Sequence, residues 1–229
     1  MDAGRATRTI WVGTIVLSLI GVAVVTRRLL TLMNAIPAAG PTVGLDAGFA
    51  RHETLTIIHI VPGLLFMLLA PLQFVKRIRV RRPALHRWIG RTVVGLGMVI
   101  GGSALVMSPQ MAIGGPTETA ATTLFGCVFL FAMIRGFIYI RRGNRRLHRE
   151  WMIRAFAIGM AVATIRPIVG VFFATSRLTH LTPHDFFGVA FWLGFTIQFL
   201  IAEMWIRYTR SHGPARGMSF SGSGQARAS

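Results

Sequence analysis

The costliest side chain in this sequence is an arginine inside an apolar helix. Arg166 stands fourteen positions beyond Met152, the start of a long apolar run, and is followed at once by Pro167. At about 1.5 Å per residue it lies about 21 Å into that run. An ionisable group at such depth costs several kcal/mol unless it is paired, which makes it a functional candidate. His59 sits near the start of another apolar run, about 6 Å deep, and spacing predicts that it shares a layer with Arg166. Pro167 lacks an amide hydrogen, so the carbonyl of Ala163 loses its helical partner and a kink is expected beside the charge. His59, Arg166 and Pro167 are therefore the candidate ligand-binding set, suited to a small ligand, an anion or a proton.

Two further constellations can do chemistry. His86 and His148 each stand in Leu-His-Arg, close to a tryptophan, Trp88 or Trp151, and to an arginine in the first helical turn, Arg91 or Arg154. Histidines on different helices can clamp haem iron while arginines bind the propionates, as in an electron-transferring membrane cytochrome of type b. His86 with His148 would serve one haem b, and His59 with His180 or His184 another. Both inner histidines fall at the edge of their spans, where His and Trp are ordinary interfacial residues. His52 and His212 fall in a loop and in the tail. The second constellation is ionic: Arg135 and Glu203 come out at similar depth, about 5 to 6 Å from the inner boundary. Arg91 and Arg154 compete for the same carboxylate, so Glu203 is expected to be charge-balanced within an ion-pair layer that fixes helix packing.

The elements that must position these residues follow from composition. Of 229 residues, 53% are hydrophobic and 14% charged, and the mean hydropathy is +0.58, which is too apolar for an ordinary soluble domain of this size. A bilayer core needs roughly 20 apolar residues per helix. Six such windows can be counted: 9–25, with a continuation towards Met33, then 55–75, 88–107, 119–140, 152–174 and 186–206. The reading is an all-α polytopic transmembrane bundle spanning 1–208, with a Gly/Ser-rich tail, 209–229, expected to be disordered and cytoplasmic. The first window resembles a signal peptide, but no small-residue cleavage site closes it and Arg27 and Arg28 follow, so it reads as a retained span. The segment 34–54 reads as a loop or re-entrant cap.

Basic residues near span ends are retained in the cytoplasm. With the amino terminus inside, 20 of the 25 Lys and Arg residues fall on the inner side and 5 on the outer, so both termini are expected to be cytoplasmic. The formal charge of +18 resides in loops and span ends rather than on the face of a soluble fold, which argues against nucleic acid. It suits anionic lipid head groups instead, and a structural lipid-binding role is a further alternative.

The two Leu-His-Arg copies suggest that spans two and three are a weak parallel repeat of spans four and five. Gly97 with Gly101, and the ridge Ala155, Gly159 and Ala163, permit close backbone approach. Spans three and five are expected to touch, bringing His86 and His148 together at the inner edge. The stretches HIVPGLLFMLLAPLQF from His59, HRWIGR from His86 and HREWMIR from His148 through to Arg166 resemble the bacterial membrane-protein family designated domain of unknown function 2306. The resemblance implies a multi-span protein of the bacterial inner membrane and supplies no activity.

Cys127 is the single cysteine, so an intramolecular disulfide and a thiolate metal cluster are excluded. No Walker-type loop, GxSxG, HExxH or GxGxxG signature occurs, and seven acids supply metal-assisted hydrolysis poorly. The reading favours no enzyme and no metal, and it leaves the oligomeric state open.

Overall fold

The computed structural model describes residues 3–33 and 49–211. The helices there are α1 (Ala3–Leu32), α2 (Glu53–Leu69), α3 (Lys76–Arg81), α4 (Pro83–Met111), α5 (Gly115–Arg141), α6 (Arg145–Thr179) and α7 (Pro183–Ser211), with a 3-10 turn (Pro71–Phe74) before α3. Six of the helices, all but α3, are long and apolar enough to cross a membrane. They extend several residues beyond the apolar windows because a helix satisfies its own backbone wherever lipid ends, and Pro83 at the start of α4 has no amide to orphan. The bulk of the 34–54 segment and the tail from 212 lie outside the described residues. α7 itself runs on to Ser211.

Hairpin α5–α6 turns tightly through Gly143, whose φ of +74° is the left-handed conformation that glycine adopts cheaply. The side chain of Asn144 then accepts from the amide of Leu147 at 3.0 Å and caps α6. Hairpin α2–α4 instead closes through the 3-10 turn and α3, a helix with Lys76, Arg77, Arg79 and Arg81 among its six residues. The two hairpins thus differ at the arginine-rich end.

Aromatic and small residues build the core. Phe66 meets Phe129 edge-on at 6.0 Å and Phe125 stacks on Phe195 at 4.8 Å. Ala121, Ala132, Ala155, Ala161, Ala163 and Ala190 are fully buried between the helices. The small residues place the helix contacts differently from the expected union of spans three and five. Gly97 and Gly101 of α4 receive Met133, Phe129 and Leu130 of α5. Gly159 of α6 receives Phe66 and Phe129, while Ala163 faces Gly21 of α1. Gly97, Gly101 and Gly159 each receive a bulky side chain of α2 or α5, so these notches of α4 and α6 do not mesh with each other. α6 runs on through Pro167 without a break, and the residue is exposed. Its missing amide costs one hydrogen bond without interrupting the helix.

Candidate functional site

At the arginine-rich end the charges are matched. Arg154 donates to both carboxylate oxygens of Glu203, from Nε at 2.5 Å and from a terminal nitrogen at 3.0 Å. Arg210 of α7 holds Glu150 of α6 with two donors, Nε at 2.8 Å, and Arg146 approaches the same carboxylate at 3.5 Å. The seam between α6 and α7 therefore exchanges charge in both directions. Each helix contributes one acid and one arginine.

Arg135 does not take part, contrary to the expectation that it could pair with Glu203. Its guanidinium lies 4.8 Å from the Tyr139 ring and 5.8 Å from the rings of Phe131 and Trp151, and it donates to the Tyr139 hydroxyl. Trp151 also carries Arg154 at 4.8 Å, so its indole is shared by the arginine that reaches Glu203 and the one that does not. Arg91 is exposed and lies over Trp88 at 5.5 Å. The rotation of α4 turns it away from the seam.

The inner histidines do approach each other, close enough for their charges to interact. His148 Nδ1 donates to the Gly136 carbonyl at 2.8 Å, which fixes the tautomer and leaves Nε2 open. His86 Nδ1 is shielded from solvent and has no hydrogen-bond partner. Among the described residues no group of three or more His, Cys, Asp or Glu could hold a metal ion. His59 lies at the other end of the bundle. His180 caps α6 in a left-handed conformation, and His184 lies against Gly115.

That other end is built around Arg166. Its Nε is shielded and has no hydrogen-bond partner, and no carboxylate lies within ion-pair distance of it among the described residues. The charges within Coulombic range are Arg28, Glu118 and His59. Glu118 is 8% exposed and already accepts from the Gly114 amide at 2.7 Å. His59 Nδ1 meets Ser103 Oγ at 2.9 Å, and that hydroxyl donates to the Val99 carbonyl at 2.7 Å. With the hydroxyl proton so used, Nδ1 carries the imidazole proton and Nε2 is the open nitrogen. His59 and Arg166 are thus brought to one layer as expected, while Pro167 points away from it.

About half a turn deeper, Gln198 donates to Thr164 Oγ1 at 2.6 Å, joining α7 to α6 between the two ends. At this end α7 packs on α5, where Gly188 sits against Thr117 and Trp192 donates to the Thr117 carbonyl at 3.2 Å.

Sequence reasoning missed Glu118, Ser103, Arg28 and the Glu150–Arg210 pair. Glu118 carried a signal, since a carboxylate in the first turn of an apolar helix is positioned for free amides. The Arg146–Glu150 spacing of four also announces a helical neighbour, but Arg210 is sixty residues away and nothing local announces it.

A family model described as a predicted membrane protein of unknown function (DUF2306) matches residues 56–206, a stretch that holds His59, His86, Glu118, His148, Arg154, Arg166 and Glu203. No curated protein and no solved structure matches the chain.

Proposed function

The chain belongs to the multi-pass membrane family designated domain of unknown function 2306, and from that premise we propose that it handles a small anionic ligand at an intramembrane site formed by Arg166 and His59. The observation that carries the reading is the solvent-shielded Nε of Arg166, which has no hydrogen-bond partner, with no carboxylate in ion-pair distance among the described residues. A charge left alone in a low-dielectric interior is expensive, and an incoming anion would supply the missing partner. Its nearest acid, Glu118, has already spent an oxygen on the Gly114 amide. The open Nε2 of His59 is an acceptor, so it would add a second contact only to an anion that carries a proton of its own, such as hydrogen phosphate. On the positive-inside reading of the sequence this layer would lie towards the outer face of a bacterial inner membrane.

Purified protein melted in rising chloride, acetate, phosphate or sulfate tests the reading. At least one of these anions should raise the midpoint of the wild type and leave that of Arg166→Gln unmoved. Equal response of the two proteins to every anion would remove the site.

A second reading is favoured by a separate observation. The Nδ1 bond from His148 to the Gly136 carbonyl is the arrangement that orients metal-ligating imidazoles, and His86 lies within Coulombic range. A haem b between the two would give a Soret band in the purified protein, shifted on reduction. A sample without that absorption rejects it.

A further inference from the structure

The loop that joins α2 to α4 gathers positive charge without any acid. From Lys76 to Arg82 five of seven residues are basic, and no Asp or Glu occurs between Glu53 and Glu118. All five basic side chains are exposed, and Lys76, Arg77, Val80 and Arg81 line a shallow open cleft of about 510 Å³. Arg79 on α3 lies within Coulombic range of both His86 on α4 and Arg149 on α6. Two sequence-distant basic segments therefore converge on one spot. The carboxylate nearest to it, Glu150, is held by Arg210 and Arg146, so it offers Arg79 no bond. Arg149 donates to Thr209 at 3.1 Å, a neutral hydroxyl, and meets Glu150 only through space.

Like charges held together at a membrane boundary call for an anion, and the setting selects which. Val80 is 65% exposed and Trp88 is 67% exposed at the same end of the bundle, among arginines. Apolar side chains open to the surroundings beside a basic cluster suit the glycerol and upper acyl region of a lipid, while a free ion in water would leave them uncovered.

We infer that α3 and the first turn of α6 form a binding site for the phosphate of an anionic lipid, gripped by Arg79 and Arg149 and seated against Val80 and Trp88. The site is separate from the Arg166 layer and does not depend on it. Arginine suits the role because its planar fork bonds two phosphate oxygens at once.

The test is titration of the purified full chain with short-chain phosphatidylglycerol, short-chain phosphatidylcholine and inorganic phosphate, read by the melting midpoint at constant salt. Phosphatidylglycerol should bind and phosphatidylcholine should not. Arg79→Gln with Arg149→Gln should weaken phosphatidylglycerol binding roughly thirtyfold, from the usual contribution of a basic residue near an anionic surface. The control pair Arg141→Gln with Arg142→Gln removes equal charge from the neighbouring loop and should change affinity less than threefold. The lysine pair at positions 79 and 149 keeps the charge but loses the fork, and should fall between the two. Equal weakening by both glutamine pairs would show a diffuse field in place of a site. Inorganic phosphate matching the lipid, or a Soret band whose propionates claim these arginines, would overturn the lipid assignment.

Discussion

The two ends of the bundle both place arginine inside it, and they resolve the charge in opposite ways. At the arginine-rich end Arg154 meets Glu203 and Arg210 meets Glu150, each with two donors on two oxygens. At the other end Arg166 lies near Arg28, Glu118 and His59 but bonds to no carboxylate among the described residues. Pairing is what a side chain does when its task is to hold helices together. The seam between α6 and α7 is such a fastening. Among the described residues Arg166 has Glu118 only at Coulombic range and no carboxylate bonded to it, so it fastens no helix in the way that Arg154 does.

Breaking the paired end gives the largest expected effect. Arg154→Ala leaves Glu203 without its bidentate partner and should cost about 3 kcal/mol, read as a lower midpoint in thermal or denaturant unfolding. Replacing both members, Arg154→Gln with Glu203→Gln, should recover more than half of that loss, because neither charge is then stranded. If the single and double variants melted together, the pair would carry no coupling and the contrast between the ends would collapse.

At the unpaired end the sign reverses. Arg166→Gln, measured without added anion, should stabilise by about 1 to 2 kcal/mol, since it removes a charge that Glu118 balances only through space. A midpoint lowered as far as that of Arg154→Ala would mean that Arg166 is also a fastening. Glu118→Gln sharpens the contrast further. It keeps an oxygen for the Gly114 amide while deleting the negative charge nearest to Arg166. Affinity for the anion that stabilises the wild type should rise roughly fivefold.

Arg91→Gln should give the smallest effect, within about 0.5 kcal/mol, because its partner is an exposed tryptophan face. Arg91 and Arg154 occupy matching places in the two Leu-His-Arg copies, so the pair isolates context from sequence.

That pair also marks what could be read in advance. Six apolar windows, the collection of arginines at one end and the common layer of His59 and Arg166 all follow from spacing along single helices, where rise per residue converts position into depth. Depth says nothing of rotation. Arg91, Arg135 and Arg154 were equivalent candidates for Glu203 at that level, and only the packing of α6 on α7 chooses Arg154. The same blindness misplaced the small-residue ridges, since a glycine notch announces that something enters it without naming the helix. Pro167 shows a third limit: its place in the apolar run does not say that it turns away from Arg166, as its exposure shows.

The charge exchange across α6 and α7 has a consequence for biosynthesis. α6 carries Glu150 and Arg154 into the bilayer, yet their partners, Arg210 and Glu203, reside on the helix that emerges after it. Until α7 has been synthesised and inserted, the growing chain presents lipid with an acid and a base that lack their final counter-ions. Correct arrival of α7 cancels both at once. A chain interrupted before Glu203 would leave Glu150 and Arg154 with each other and Arg146 on their own helix.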